Sequence, residues 1–456
     1  MTHPTPSSLI FPTLSGKSVQ ATFDAGALSS DGGLLLLRTL EAQLGVTRRL
    51  SEAIVDHRHP SYITHSYDDL IRQRVFQIAS GYEDANDCNT LRDDPALKAA
   101  CNRLPLSGDP LASQPTMTRL ENTVSKADLY RMTRALVDAF LDSYDTAPPA
   151  LLLDIDDTHD PTHGQQQLTL FNAHYGEYGY QPLHVYEGQS GKLITTILRP
   201  GQRPSGQQIV VILKRLVAHI RQRWPKVQLL LRGDSHFSAP EVHDFCAAQP
   251  ELYYVLGQSG NTVLKEKSSR LLAQAQRLYQ LQPVRQRGAH APCKIRLFTQ
   301  FFYQAQSWSK PQRIICKAEV SELGPNVRYI VTNLTHSRSQ QLYDLMYCGR
   351  GQMENFIKNH KTFLQSDRLS CHRFVANSFR LLLHSAAYIL LQTFMQQGLA
   401  GTQWAHSQFN IIQNRLLKVA VKVREMATKI TFHFPTSFPL QSVYRRIMAN
   451  LTGTAP

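Results

Sequence analysis

The sequence predicts an α/β core that carries a β-rich insertion, flanked by mainly α N-terminal and C-terminal regions. Three observations predict it. Residues 1–148 place apolar side chains at three- and four-residue spacing. From Ala150 the pattern changes to short apolar runs separated by turn residues. After residue 336 helical spacing returns, with a long apolar helix expected from Phe374 to Gln396 that holds the longest apolar pattern, Phe379 to Met395.

The elements follow in order. Gly32-Gly33 precedes Leu34-Leu35-Leu36-Leu37, a buried helix start. Asp68 to Ile78 and Leu129 to Phe140 read as helices. Between them, Gln114 to Asn122 has Pro115 near a helix start and a run of polar side chains that includes Arg119. This segment reads either as a capped surface helix or as a recognition helix for DNA. Pro148-Pro149 marks a boundary. Ala150–Ile155, Leu183–Tyr186 and Lys192–Leu198 read as strands, the last two joined by a turn over Glu187–Gly191. Helix Ser205–Trp224, strand Val227–Leu231, helix Pro240–Ala248 and strand Leu252–Leu256 complete the core's first part. The expected divisions are a helical DNA-binding region at 1–148, core at 149–258, basic β-rich insertion at 259–336, core helices at 337–398 and a basic region at 399–456. Strands are expected at Lys294–Phe302, Arg313–Val320 and Tyr329–Thr332. Ser337–Gln365 reads as a helix interrupted near Gly349 and Gly351, and Arg415–Lys429 as a basic amphipathic helix.

The net charge of +14 suits a polyanionic partner. Its distribution says more. Residues 355–456 hold 12 Lys/Arg against two acids, and residues 255–317 hold 11 against one, so both basic blocks flank Glu354 in sequence. Neutralising phosphates with such side chains gives salt-sensitive affinity that is largely blind to sequence. Seven cysteines, at 88, 101, 246, 293, 316, 348 and 371, include no CxxC and no zinc spacing. Reduced thiols in a cytoplasmic protein are the simplest reading. No signal peptide is read at the start, and no membrane span is expected, because Arg380, His384, Ser385 and Gln392 break the longest apolar pattern.

Candidate chemistry rests on acids. Leu153-Asp154-Ile155-Asp156-Asp157-Thr158 and Leu231-Arg232-Gly233-Asp234-Ser235-His236 each end a buried strand in a carboxylate. Such acids also serve as turn and cap residues. Tyr347, Arg350, Glu354 and Lys361 are spaced three, four and seven apart. On a uniform α-helix they fall within about 60° of one another. That stripe suits a metal-binding carboxylate beside groups that grip a phosphate backbone. Three acids from three elements could hold two divalent cations for phosphoryl chemistry, and magnesium needs few protein ligands. His159, His163 and His236 read as site-lining or structural. A phosphatase or phosphotransferase is a second reading: Asp154-Ile155-Asp156-Asp157-Thr158 fits Asp-x-Asp-x-Thr, although Ser238 stands where a later Mg²⁺-binding Asp belongs. A third is a DNA-binding protein without activity.

The strand and helix order, with acids on the first strand, after the fourth and on a late helix, resembles the RNase H-like fold of DDE transposases and integrases. Tyr347, Arg350, Glu354 and Lys361 match the Tyr-(2)-Arg-(3)-Glu-(6)-Lys signature of the insertion-sequence-four superfamily. The chain looks most like the branch numbered thirteen-eighty, transposase DDE group one. Leu153–Thr158, His163–Gln165, Leu198–Gly201, Arg232–Phe237, Arg350–Lys358 and Ser370–Leu383 carry that likeness, with Gly26–Arg38 and Gln114–Asn122. The resemblance implies Asp156, Asp234 and Glu354 as catalytic and metal-binding acids, with Asp154 the alternate first acid. It implies two Mg²⁺ ions, replaceable by Mn²⁺, and no other cofactor. It implies double-stranded DNA partners, both terminal inverted repeats and target DNA, and a homodimer in that complex, in the nucleoid-containing cytoplasm of a bacterium. Arg350, Lys358 and Lys361 would meet phosphates, Tyr347 would hydrogen-bond or stack, and Trp308 is the candidate for holding a flipped base, its bland reading a core Trp.

Overall fold

The computed structural model describes residues 8–282 and 294–454. Residues 283–293 of the expected insertion, Cys293 among them, lie outside the described residues. The chain forms two compact units: Met1–Met132 with Asn359–Arg368 and Leu382–Pro456, and Thr133–Lys358 with Leu369–Leu381.

The first unit opens on strands β1 (Leu9–Leu14) and β2 (Lys17–Ala21), an antiparallel hairpin, and the short β3 (Leu28–Ser29). Helices α1 (Leu34–Leu44), α2 (Val46–Glu52), α3 (Tyr67–Ala79), α4 (Asp87–Leu91), α5 (Pro95–Ala100) and α6 (Gln114–Thr123) follow. α7 (Lys126–Asp142) runs on into the second unit. α1 buries Leu34, Leu37 and Glu41 on one row and Leu36 and Leu40 on the next, the spacing of an amphipathic helix. Its start is fixed by close approach: a Cβ on Gly33 would stand 2.0 Å from the Leu416 carbonyl oxygen and 2.5 Å from Leu417 Cα. Both obstacles are backbone. Gly33→Ala should therefore destabilise the chain by about 1–3 kcal/mol, seen as a lower thermal midpoint. α3 starts with a reciprocal capping box between Ser66 and Asp69.

The second unit is built on one eight-stranded sheet. Its strands are β4 (Ala150–Asp157), β8 (Leu183–Glu187), β9 (Leu193–Ile197), β10 (Gln228–Gly233), β11 (Leu252–Gln258), β12 (Ile295–Tyr303), β13 (Gln312–Ser321) and β14 (Gly324–Thr332). A separate three-stranded sheet holds β5 (Asp160–Pro161), β6 (Leu170–Asn172) and β7 (Glu177–Tyr180). The large sheet runs β12-β13-β14-β11-β10-β4-β8-β9. β4, β10 and β11 are parallel; β8 and β14 join the two sides antiparallel. α8 (Gly206–Arg223) and α9 (Pro240–Ala248) supply apolar faces to a core with β4, β10 and β11. The unbroken Leu151-Leu152-Leu153 run suits a central strand flanked on both edges.

Two expectations differ from what is found. The stretch after β11 begins with a 19-residue helix, α10 (Thr262–Gln280), which buries Leu264, Ser268 and Ala275 at helical spacing. The strands beyond it continue the main sheet, because β14 pairs with β11 and satisfies a backbone edge that would otherwise stay open.

The late helical run changes geometry repeatedly. A π-helix at Leu342–Tyr347, a 3₁₀ segment at Cys348–Gln352, α11 (Met353–Lys358) and a π-helix at Asn359–Phe363 succeed one another. α12 (Phe374–Thr393) follows. With its extension to Gly398 it is long and apolar enough to cross a membrane, but 72% of its most apolar window is buried inside the protein, as in a core helix.

The expected helix at Arg415–Lys429 is corrected. After α13 (Phe409–Ile412) and a π-turn at Gln413–Leu417, the chain forms β15 (Val421–Glu425) and β16 (Ile430–His433), then α14 (Gln441–Thr452). Val421 and Val423 are buried while Lys422 and Arg424 are exposed, so a period of two governs. β15 pairs with β3, which puts strands at both ends of a unit read as mainly helical.

Candidate functional site

The site starts from two neighbouring strands of the second unit. β4 and β10 lie parallel with Leu153 beside Leu231 and Asp154 beside Arg232. Each strand then delivers an acid two residues further on, Asp156 and Asp234. Their negative charges reach each other: burial first, and then the charges of Asp234 and Asp157, push the Asp156 carboxyl up to about 7 against the lowering by Arg350. Arg350 Nη1 donates to Asp156 Oδ2 at 2.9 Å. Asp156 Oδ1 accepts from the Asp157 amide at 3.0 Å.

Asp154 has a different fate. It is fully buried, and Arg232 grips both oxygens, Nε to Oδ1 at 2.6 Å and Nη2 to Oδ2 at 2.7 Å. The remaining arm, Nη1, donates to the Met346 carbonyl at 2.8 Å. Gly188 makes room for this fork, since a Cβ there would stand 2.3 Å from Arg232 Nη2. Asp154 therefore presents no open oxygen to a ligand.

Asp234 begins the 3₁₀ turn Ser235–Phe237, its Oδ1 accepting from the His236 amide at 2.8 Å. Beside it, Asp157 meets Arg199 at 3.5 Å and His236 Nδ1 at 3.3 Å. The Tyr347 hydroxyl lies over Gly257 of β11, where a Cβ would sit 2.7 Å from it and 2.7 Å from the Ser235 amide nitrogen. Burial raises the Tyr347 hydroxyl's pKa, with Asp234 adding to the rise and Arg350 opposing it. Tyr347, Arg350, Asp156 and Asp234 thus form one neighbourhood.

The other expected site residues are placed differently. Glu354, on α11, is exposed. Among the described residues no three His, Cys, Asp or Glu side chains converge closely enough to hold a metal ion, so Asp156, Asp234 and Glu354 do not form a closed ligand set. Lys358 ends α11, while Lys361 belongs to the first unit. Arg119 is on the exposed side of α6, also in the first unit, where it lines a cleft with Arg58, Tyr67 and Thr116. Trp308 is corrected: it is 7% exposed and packs edge-on against Tyr303 and His243 in the main core, with no open face for a base.

Three residues stand out that spacing alone did not single out: Arg232, Arg199 and Gln181. Their partners or neighbours at the site lie far away in sequence, so no local pattern marks them. The six described cysteines are free thiols; Cys88, Cys101, Cys246 and Cys316 are buried.

The raised Asp156 pKa has a measurable consequence in metal-free protein. Because the folded value, about 7, exceeds the ordinary aspartate value of 3.8, the protonated form favours folding. This contribution is complete below pH about 4 and is lost as pH rises towards 7. Asp156→Asn should remove that loss, so the variant should melt above the parent at pH 8 by on the order of 2–4 kcal/mol and match it near pH 4. Equal melting at both pH values would refute the assignment.

A parallel-stranded α/β core with paired acids at adjacent strand ends defines the general class. The chain matches the family model described as transposase DDE domain group 1 over residues 11–456, and it belongs to that family. No curated protein matches it. Among solved structures, a cryo-EM structure of a piggyBac transposase synaptic complex with hairpin DNA is similar at 12% identity and a TM-score of 0.43, over 84% of this chain and 78% of that one. At that identity and score the likeness says nothing of this chain's chemistry.

Proposed function

We propose that this chain is the transposase of a bacterial insertion sequence, of the insertion-sequence-four superfamily and nearest its branch numbered thirteen-eighty. It cuts the ends of its element and joins the freed 3′ ends to target DNA. The observation that carries this reading is the Asp156–Asp234 pair on adjacent parallel strands, with Arg350 bound to Asp156. The strand order β9-β8-β4-β10-β11 supports an RNase H-like core.

The donor set fits divalent magnesium or manganese. Asp156 and Asp234 offer hard oxygens, and Asp156 resists ionisation first because it is buried and then because Asp234 and Asp157 are negative, a cost that a bound cation offsets. Two such ions would supply activation of the attacking oxygen and stabilisation of the leaving one. Asp156 and Asp234 would hold them, with Glu354 as the third acid. Arg350 orients Asp156 and keeps donors for a phosphate oxygen. Lys358, Lys361 and Arg119 would meet the DNA backbone, in the terminal inverted repeats or in target DNA, within a homodimer in the bacterial nucleoid. The phosphatase alternative loses its nucleophile, because Arg232 occupies both Asp154 oxygens. An inactive DNA-binding relative is the reading that the exposed Glu354 favours.

Incubation of the purified chain with DNA from either side of its own gene, in Mg²⁺, separates these. The expected result is site-specific strand cleavage leaving a 3′-hydroxyl, lost in Glu354→Gln with DNA binding retained. Binding without cleavage in Mg²⁺ and in Mn²⁺ would leave only the inactive relative.

A further inference from the structure

A cleft of about 430 Å³ lies wholly within the first unit. Its walls come from the loop before α3, the start of α3 and one face of α6. α6 supplies Thr116, Arg119, Leu120 and Thr123, spaced as a single stripe of a helix. Among the described residues no carboxylate lines this cleft. Its polar walls are guanidinium, imidazole, phenol and hydroxyl, all of which can donate a hydrogen bond.

Arg58 holds the loop in place. Its Nε donates to Asp56 Oδ1 at 2.8 Å, its Nη2 to Asp56 Oδ2 at 2.6 Å and its Nη1 to the His65 carbonyl at 2.9 Å. The same guanidinium stands over the Tyr67 ring, 4.1 Å from its centre. Asp56 is thereby occupied on both oxygens and its charge is balanced. Asp128, behind Tyr67, is engaged by Ser125, Arg131 and the Val55 amide. Arg119 differs from Arg58. It is exposed, and among the described residues it pairs with no carboxylate; Thr116 Oγ1 accepts from its Nη1 at 3.5 Å. Its positive charge is left on the cleft wall.

Two more donors converge there. Tyr67 is 6% exposed, and its hydroxyl, shielded from solvent, has no hydrogen-bond partner. A buried polar atom in that state costs stability until something binds it. Burial, with the charge of Asp56 adding, raises the hydroxyl's pKa, so it stays a phenol that can donate. His65 Nδ1 faces Arg103 Nη2 at 3.0 Å. A guanidinium only donates, so the ring is neutral and carries its proton on Nε2. Burial first and then Arg103 lower the His65 pKa, which keeps the ring in that form. Tyr62, also on the wall, is 85% exposed, and its ring tilts against His59 with centres 5.6 Å apart.

Donors that meet without an acid define an anion site. The Tyr67 hydroxyl decides which anion. It is enclosed, so only a terminal group can reach it. A phosphodiester inside a DNA strand carries a sugar on each side and stays at the surface. A phosphate monoester has three terminal oxygens and suits donors that come from several directions. The exposed Tyr62 ring gives the attached nucleoside a face to lie against.

We propose that this cleft binds a phosphate monoester, the end group of a free nucleotide or of a DNA strand's 5′ end. Arg119, Tyr67 and His65 hold the phosphate, and Tyr62 meets the nucleoside. The inference concerns the first unit alone and does not depend on any chemistry at Asp156 and Asp234.

The test is calorimetric titration of the full chain in EDTA. The probes are adenosine monophosphate, adenosine, and a short single strand with either a 5′-phosphate or a 5′-hydroxyl. The monophosphate should bind about tenfold or more tighter than adenosine. Arg119→Gln and Tyr67→Phe should each weaken the monophosphate by about tenfold and leave adenosine unchanged. Without ligand, Tyr67→Phe should melt no lower than the parent, because it removes an unpaired buried hydroxyl; that separates lost binding from lost folding. Preference for the phosphorylated strand, lost in both variants, supports the site and identifies a DNA end as its source. Preference confined to the free monophosphate supports it with a nucleotide as the source. Equal binding of the phosphate and hydroxyl forms of both probes overturns the proposal, and so does a preference that survives both substitutions.

Discussion

Asp234→Asn should abolish the proposed strand cleavage, by on the order of a thousandfold or more, while the protein still folds and binds DNA. The two halves of that result have separate causes. Asp234 Oδ1 caps the Ser235–Phe237 turn by accepting from the His236 amide. Asparagine keeps an acceptor oxygen there and is an equally good cap, so the turn survives. What would be lost is one of the two formal negative charges that the proposed metal site draws on. Asp234→Ala should lose activity to the same degree but also about 1 kcal/mol of stability, because the cap goes with the charge. Cleavage rates and thermal midpoints on the same preparations check both. Cleavage by Asp234→Asn within tenfold of the parent would mean that these acids are not the catalytic pair.

Much of this neighbourhood could be read from the chain alone, and the part that could not has a physical reason. β4 is an unbroken Leu run ending in acids, so its burial and its polar tip are both local facts. The pairing of Asp154 with Arg232 is not local. It exists because β4 and β10 become neighbours in parallel register, and sheet order decides that. Without it Asp154 and Asp156 look alike; with it, only Asp156 has oxygens to offer. The stripe through Tyr347, Arg350, Glu354 and Lys361 fails for a different reason. It assumes 100° per residue throughout. Five residues at Cys348–Gln352 are 3₁₀, at 120° each, which carries Glu354 roughly 100° away from the direction expected of it. Gly349 and Gly351, poor α-formers, lie within that segment. Arg350 reaches Asp156 and Glu354 faces solvent. At Val419–Val423 two periods competed, and the strand pairing to β3 selected the alternating one.

Arg232→Leu is the most damaging single change expected in the second unit, at about 3–5 kcal/mol. The reason lies in what it leaves behind. Asp154 has no solvent exposure, and among the described residues Arg232 is its sole hydrogen-bonded cation. Burial already raises the Asp154 carboxyl's pKa, and the two contributions opposing that rise most strongly are the hydrogen bonds and the charge of Arg232. With Arg232 gone, the acid must protonate or remain an unpaired charge between β8 and β10. The folded-state pKa then climbs further above its unfolded value, so the variant's stability is greatest at low pH and falls as pH rises. Urea unfolding of Arg232→Leu should therefore show a larger deficit at pH 8 than at pH 5. Removing both partners, as Asp154→Leu with Arg232→Leu, should cost less than Arg232→Leu alone, because no buried charge remains. A residual cost of about 1–3 kcal/mol is still expected, since the Met346 carbonyl loses the donor that Arg232 supplied. A single variant as stable as the parent at pH 8 would mean that Asp154 is not held as a buried carboxylate, and would return it to contention as the first catalytic acid.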